Sequence, residues 1–121
     1  GTRGHWAVRV EGCTSPDGPY NTRWLRLAWD ADAPPGTTLS VTAHTGDTSD
    51  PATWVAPWTS PSAFSPVSLL DQLVPSPGDW RCDHNLANHW LELDFTFTSN
   101  APGLTPSLRW LAVGYYCWCE G

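Results

Sequence analysis

The sequence predicts an all-β fold: an antiparallel β-sandwich of jelly-roll type with about seven short strands, stapled by disulfides. Segments that alternate apolar and polar residues predict the strands, and segments rich in Gly and Pro predict the turns between them. No sustained periodicity of 3.6 residues competes with this pattern. The 121 residues are enough for a single domain, 1–121, with a sandwich core.

The stretch 36–54 organises the predicted fold. It begins at a Pro-Pro-Gly turn and passes a second turn at 45–48. Between the turns Leu39, Val41 and Ala43 alternate with polar residues, which predicts a strand with one buried face. The polar residues on the other face are Ser40, Thr42 and His44.

Two strands are predicted before this stretch. A short strand at 5–10 is separated by a turn-rich loop, 12–21, from a strand at 23–30. Since a tight connection joins 23–30 to the organising strand, we expect these two strands to pair antiparallel. The alternation in 23–30 predicts one face with Leu25, Leu27 and Trp29, and the other with Trp24, Arg26 and Ala28.

The region 50–77 is interrupted by prolines, and each of them lacks the backbone N–H that a central strand needs. Within it, 54–59 is predicted as an edge strand. For 67–74 we expect a helical turn in preference to a short strand, and 77–81 is predicted as a loop.

The clearest strand is 90–98, where Leu91, Leu93, Phe95 and Phe97 alternate with polar residues. Burying each of these four side chains contributes roughly 1.5–3 kcal/mol before entropy is considered. After a turn at 99–106, the last strand is predicted at 107–118. It is apolar or aromatic on both faces, which indicates a central strand or one covered by a loop.

The charge balance excludes several classes of partner. The net charge is −6, and all the cationic side chains are arginines. Binding to DNA, RNA or an anionic membrane needs a basic stripe, which this sequence lacks. No apolar run approaches 18 residues, so we expect no membrane insertion. The composition fits an extracellular module, and no signal peptide is visible, as expected if a leader has been removed or excluded.

The four cysteines predict two disulfides, because their number is even and the chain is small with an extracellular character. Cys117 and Cys119 lie two residues apart on a predicted strand, which places their Cβ atoms about 6–7 Å apart, beyond the usual disulfide span. Two pairings stay open: Cys13–Cys117 with Cys82–Cys119, or Cys13–Cys119 with Cys82–Cys117. Each closed loop would stabilise the fold by roughly 3–5 kcal/mol.

A zinc site is the alternative use of the same region. Cys82, His84 and His89, together with Cys117 or Cys119, supply the atoms of a tetrahedral site. Their spacing is not that of a known zinc finger or ribbon, so we expect disulfides and no metal or other cofactor. His84 and His89 are then predicted as surface residues of a loop. His5 and His44 are predicted on strand surfaces.

Two carboxylates suggest a catalytic alternative. Glu92 and Asp94 share the solvent face of one predicted strand at about 6.5–7 Å, a spacing compatible with a glycosidase pair. Alternation along a strand explains the same placement. The sequence contains no nucleophile elbow, P-loop or HExxH motif, and it therefore favours a non-catalytic protein.

The nine tryptophans are the strongest functional signal. Trp6, Trp29 and Trp110 lie on predicted strands and are assigned to the core. Loop tryptophans offer flat apolar rings for stacking on a sugar, and neighbouring Asp79 and Arg81 can hydrogen-bond its hydroxyls. A protein interface, or simple capping of the sandwich ends, is the alternative. The predicted ligand-binding set is Trp54, Trp58, Trp80, Trp90, Asp79 and Arg81, with Trp118 also near a loop.

The order of the motifs carries a resemblance. A Thr-rich strand, Thr-Gly-Asp-Thr at 45–48, Asp50-Pro51, a pair of tryptophans, Trp-Leu-Glu-Leu at 90–93 and Thr-Pro-Ser-Leu-Arg at 105–109 follow one another. This order resembles β-sandwich accessory modules of secreted multidomain bacterial proteins and of phage and contractile-injection tail proteins. The resemblance covers roughly 25–116 and implies a non-catalytic role. The chain departs from it at 79–89 and at Cys117-Trp118-Cys119.

Three functional hypotheses follow. The first is a non-catalytic extracellular module that binds a polysaccharide or cell-surface glycan through its loop tryptophans. The second is a structural module of a virion or injection tail, whose partners are neighbouring protein subunits. The third is a small hydrolase that uses a metal or acts on glycosides.

Overall fold

The structure, a computed structural model, describes residues 2–54, 58–70, 72–73, 86 and 88–117. This part of the chain is built from antiparallel strands, which confirms the all-β prediction. The strands are β1 (Thr2–Glu11), β2 (Thr14–Ser15), β3 (Gly18–Pro19), β4 (Arg23–Asp32), β5 (Thr37–Gly46), β6 (Val67–Ser68), β7 (Trp90–Ser99) and β8 (Ser107–Tyr116), with a 3-10 turn at Pro51–Thr53.

The long strands form two three-stranded sheets. The first has the order β1-β7-β5 and the second the order β6-β4-β8, while β2 and β3 form a small hairpin. No helix in the described residues is long and apolar enough to cross a membrane. The sandwich arrangement and the jelly-roll connectivity stay predictions.

Buried residues from both large sheets form one hydrophobic core. Leu91, Leu93 and Phe95 of β7 are fully buried, as their alternation predicts. Trp29 of β4 meets Phe95 edge-to-face, with ring centroids 6.2 Å apart, so this contact joins the two sheets. Trp6 of β1 stacks on the same phenyl ring at 5.6 Å. The core positions predicted on β5 (Leu39, Val41 and Ala43) are also buried.

The prediction that the strand at 23–30 pairs with the organising strand is wrong. β4 pairs with β6 and β8, whereas β5 pairs with β7, so the two consecutive strands lie in different sheets. The connection 33–36 carries Pro34 and Pro35, and the carbonyl of Pro34 accepts hydrogen bonds from the N–H and the hydroxyl of Thr37. A connection this short can join strands of different sheets as well as strands of one sheet, so its length does not decide the pairing.

A β-bulge at Leu25 overturns the prediction for the faces of β4. Trp24 pairs with Tyr115 but Arg26 pairs with Gly114, so one extra residue interrupts the register. The bulge places Trp24 on the core side together with Leu27 and Trp29, and its side chain is fully buried. The carbonyl of Leu25 accepts hydrogen bonds from the N–H groups of residues 69 and 70, which follow β6.

The segment 58–62 lies along the edge of β5. Of the strand predicted at 54–59, the described residues Trp54, Trp58 and Thr59 belong to no strand. Thr59 donates its N–H to the carbonyl of Ala43, and Ser62 forms an isolated bridge with Val41. Residues 55–57 lie outside the described part of the chain. The segment predicted at 67–74 begins as the two-residue strand β6 and continues into a turn. The predicted loop 77–81 also lies outside the described residues.

The last strand is also placed differently from the prediction. Within the described residues β8 pairs with β4 alone and therefore lies at the edge of its sheet. Its side chains Leu111 and Val113 pack against the core. On its outward face Trp110 and Tyr116 are 52% and 50% exposed, so the assignment of Trp110 to the core is wrong. Alternation divides a strand into two faces but does not show which face is covered.

A disulfide between Cys13 and Cys117 links the segment after β1 to the residue after β8. This bond belongs to one of the two predicted pairings and excludes the other, as well as a zinc site with Cys117 as a ligand. The second bond of that pairing, Cys82–Cys119, lies outside the described residues.

Candidate functional site

The outward side of the first sheet is the candidate site and is called the polar face here. Alternation places the apolar residues of β1, β7 and β5 toward the core and their polar neighbours outward. The antiparallel register aligns these outward residues in rows across the three strands. The central rows are Arg9, Glu92 and His44; Ala7, Asp94 and Thr42; and His5, Thr96 and Ser40.

Trp58 lies over one end of the polar face. Its indole stacks on the imidazole of His44, with ring centroids 3.5 Å apart and an interplanar angle of 17°. His44 is 5% exposed because the indoles of Trp54 and Trp58 cover it, so the prediction of a surface histidine is wrong at this position. Trp58 itself is 44% exposed. With one ring face against His44, the opposite face is the one left for a ligand.

Trp54 has a structural position beside Trp58. Its indole N–H donates to the carbonyl of Thr48 at 2.9 Å, and its ring lies against Gly46, where a Cβ atom would collide with it. The Trp54 ring is tilted by 56° from the His44 ring, whereas the Trp58 ring is tilted by 17°. The two indole planes therefore differ by at least 39°, the difference between these angles. They do not form one flat platform.

Contacts with histidines and with Arg9 hold the carboxylates of the polar face. Glu92 lies 3.3 Å from Nε2 of His44 and 3.7 Å from Nε of Arg9. Arg9 also donates from Nη1 to the carbonyl of Ser49 at 2.6 Å, which ties the loop after β5 back to β1. Asp94 lies 3.3 Å from Nδ1 of His5. Each carboxylate predicted as a catalytic candidate is thus paired with a histidine and keeps further lone pairs for hydrogen bonds to a ligand.

Trp90 lies on the same side of β7 as Glu92, in the row next to His44, where it pairs with Glu11 and Gly46. It is half-buried at the start of β7, and its ring meets His89 edge-on at 6.0 Å. The remaining predicted ligand-binding residues, Trp80, Asp79 and Arg81, lie outside the described residues. The structure therefore brings Trp54 and Trp58 together near His44, with Trp90 in the adjacent row of the same face.

His89 is a buried residue, and its prediction as a surface loop histidine is wrong. Its Nδ1 is 2.7 Å from the carbonyl of Tyr20, and its Nε2 is 2.9 Å from Oε2 of Glu11. Both ring nitrogens are engaged in fixing the loop before β7 to β1 and to the segment before β4. No group of three or more metal-binding side chains occurs among the described residues. Cys82, His84 and Cys119 of the zinc alternative lie outside them.

A second exposed surface, which sequence reasoning missed, lies on the outward side of β4 and β8. Trp110 and Tyr116 project from β8, and Arg109 forms a bidentate ion pair with Asp30, with Nε 2.6 Å from Oδ2 and Nη2 3.3 Å from Oδ1. Hydrogen bonding to this guanidinium and its positive charge hold the pKa of Asp30 below its ordinary value. The signal in the sequence that could have predicted this surface was the presence of aromatic residues on both faces of 107–118.

Comparison of the chain with known protein families, curated proteins and solved structures finds no match. The resemblance to accessory modules stays a prediction. Function is therefore inferred from the geometry of the chain itself.

Proposed function

We propose that this protein is a non-catalytic extracellular binding module that recognises carbohydrate on its polar face, with Trp58 as the stacking residue. The observation that carries the proposal is the half-exposed indole of Trp58, held parallel to His44 at 3.5 Å. The rows of the sheet next to His44 carry hydroxyl and carboxylate side chains.

The chemistry of a pyranose ring fits this arrangement. One face of the sugar presents C–H groups that pack on an aromatic ring, while its hydroxyls need hydrogen-bond partners around the rim. Thr42 and Asp94 are paired neighbours one row from His44 and supply such partners. Because His44 already fixes the Trp58 ring, binding would cost less side-chain entropy than binding to a free indole.

The disulfide supports an extracellular location. Disulfides persist in oxidising compartments and are rare in the reducing cytosol. The Cys13–Cys117 bond joins residues separated by 104 positions, so it closes most of the chain into one loop. An acidic chain with this bond fits a secreted or surface-exposed module.

The test measures binding of the chain to a panel of neutral soluble and insoluble polysaccharides by calorimetry and pull-down. We expect saturable binding to at least one glycan, weakened about tenfold or more by Trp58→Ala, which corresponds to about 1.4 kcal/mol. Phe64→Ala is the matched control, because Phe64 is an exposed aromatic residue of the same segment that does not contact His44.

Two results would overturn the proposal. One is the absence of binding across the panel by a folded protein. The other is equal loss of binding in Trp58→Ala and Phe64→Ala, which would show that the site lies elsewhere. Unfolding curves of both variants, recorded in parallel, separate loss of binding from loss of fold.

The second candidate function is a structural role in a virion or tail assembly. The observation that favours it is β8, a ten-residue strand that lies at the edge of its sheet in the described part of the chain. An uncovered edge pairs readily with another chain. Sedimentation at micromolar concentration would show oligomers if β8 served this role, and a monomer over the whole range would count against it.

A further inference from the structure

The outward surface of β4 and β8 has the features of a second ligand site, separate from the polar face. It is called the Arg26 face here and consists of Arg26 and Ala28 from β4 together with Trp110, Ala112, Gly114 and Tyr116 from β8. Arg26 pairs with Gly114 and Ala28 with Ala112, and alternation along β8 adds Trp110 and Tyr116 to the same side of the sheet, opposite to the core side chains Leu27 and Trp29. Asp30, the pairing partner of Trp110, lies at this end of the surface in its ion pair with Arg109.

The centre of the Arg26 face is flat. Ala28 pairs with Ala112, and Arg26 pairs with Gly114, so small residues form the floor. A Cβ atom at position 114 would lie 3.3 Å from Cγ of Arg26, which is tight for a contact between side chains. The glycine therefore lets the aliphatic part of Arg26 lie close to β8.

Aromatic side chains stand at the two ends of this floor. Trp110 and Tyr116 are half-exposed on the same side of β8 and six residues apart. At a rise of about 3.3 Å per residue, this spacing corresponds to roughly 20 Å along the strand. An extended oligosaccharide can span such a distance and contact an aromatic ring at each end.

The charge of this surface differs from that of the protein as a whole. Acidic residues outnumber basic ones by 12 to 6 in the chain. Arg9 and Arg109 pair with Glu92 and Asp30, respectively. The side chain of Arg26 is exposed and forms no hydrogen bond or ion pair with any other residue that the structure describes. Its guanidinium is therefore available for a carboxylate or sulfate group.

A shallow cavity beside Arg26 provides room for such a group. Its volume is about 430 Å³, and it is lined by Leu25, Arg26, Pro66, Val67 and Ser68. Ser68 lies in the same row as Arg26 in the paired register and carries a hydroxyl that can hydrogen-bond an anion. The β-bulge at Leu25 and the short strand β6 form this cavity, so it belongs to the fold of the second sheet.

We propose that the Arg26 face binds an acidic polysaccharide. Arg26 holds a carboxylate or sulfate substituent of the sugar, and the rings of neighbouring sugar units pack on Trp110 and Tyr116. This site does not depend on the Trp58 site. Its ligand is anionic, although the net negative charge of the whole chain would repel an anion. Local arginines decide the interaction, because the charges beyond about 8 Å are screened at physiological ionic strength.

The experiment compares three polymers: polygalacturonate, which carries carboxylates, a sulfated galactan and a neutral galactan. We expect the intact protein to bind at least one of the two anionic polymers, with an affinity that falls as NaCl is raised from about 50 to 500 mM. We expect no binding of the neutral polymer at this face. The anionic polymer that binds more tightly identifies the substituent that Arg26 recognises.

Variants locate the site. We expect Arg26→Gln and Trp110→Ala each to weaken binding at least tenfold, and Arg26→Lys to weaken it less than Arg26→Gln, since a lysine keeps the charge but loses the planar fork. Arg3→Gln is the matched control, because Arg3 is an exposed arginine on β1 of the other sheet and its replacement changes the net charge equally.

Three results would overturn the proposal: no binding of either anionic polymer at low salt, equal weakening by Arg26→Gln and Arg3→Gln, or loss of binding in Trp58→Ala with Arg26→Gln unaffected. Self-association that Trp110→Ala abolishes, without any binding of anionic polymers, would assign this surface to a protein partner instead. The two proposals can fail separately. The Trp58 site is tested with neutral glycans and Trp58→Ala, whereas the Arg26 face is tested with anionic polymers and Arg26→Gln, so a negative result in one test does not decide the other.

Discussion

The disulfide between Cys13 and Cys117 allows a prediction with a magnitude. The bond joins positions separated by 104 residues. In the chain-entropy model, a closed loop of about 100 residues stabilises the folded state by about 4.7 kcal/mol at 25 °C, because it restricts the unfolded chain. We therefore expect Cys13→Ala with Cys117→Ser to lower the free energy of unfolding by about this amount. Alanine suits the buried position 13, and serine suits the exposed position 117.

Equilibrium unfolding in urea, followed by tryptophan fluorescence without reductant, measures this change. The released unfolded chain should also be more expanded, so the dependence of the free energy on urea should become steeper. Near-ultraviolet circular dichroism of the native variant should stay unchanged, since the bond acts mainly on the unfolded state. A loss below about 1 kcal/mol with a native spectrum would refute the reasoning, because it would show that the unfolded chain gains little freedom from opening this loop.

Two further predictions concern single residues. Gly46→Ala should lower the free energy of unfolding by about 1–3 kcal/mol, because the added Cβ collides with the indole of Trp54; a loss under 0.5 kcal/mol, about the effect of an ordinary surface change, would contradict this packing. The lowered pKa of Asp30 contributes stability that is present above its ordinary value of 3.8 and lost as the pH falls through the folded pKa. At low salt, Asp30→Asn should therefore be less stable than the original protein at pH 6, with the difference vanishing in acid; a difference independent of pH would disprove the role of Arg109.

Much of the first sheet could be predicted from the sequence. The strand at 90–98 and the organising strand both alternate strictly. Their apolar residues are buried as expected, except Phe97, which is only partly buried. A period of two fixes which residues share a face, and a run of aliphatic and aromatic residues on one face has to be covered. The turn residues located most strand ends to within a few positions.

The candidate site could be predicted only in part. The sequence selected Trp58 and Trp54 because they lie among turn residues, and both lie beside His44. It did not show that Trp54 is fixed against Gly46 while Trp58 keeps one face open. The different positions of Trp54 and Trp58 depend on tertiary contacts with β5, which the local sequence pattern does not predict.

The second sheet shows where local patterns fail. One extra residue at Leu25 moved Trp24 from the face that it was predicted to share with Arg26 into the core. Trp110 has the composition of a core residue, yet its strand lies at the sheet edge in the described part of the chain, with this side chain outward. His89 reads as a loop residue in sequence, but contacts with Tyr20 and Glu11 bury it.

The sequence by itself determined that the chain is all-β, which residues alternate in each strand and that Cys13 would bond to Cys117 or Cys119. Those properties follow from backbone geometry and residue chemistry, which act over a few neighbouring positions. Only the tertiary structure decided which strands pair, which cysteine joins Cys13 and which aromatic rings stay exposed. These outcomes depend on contacts between residues tens of positions apart, where several arrangements bury similar apolar surface and packing selects among them.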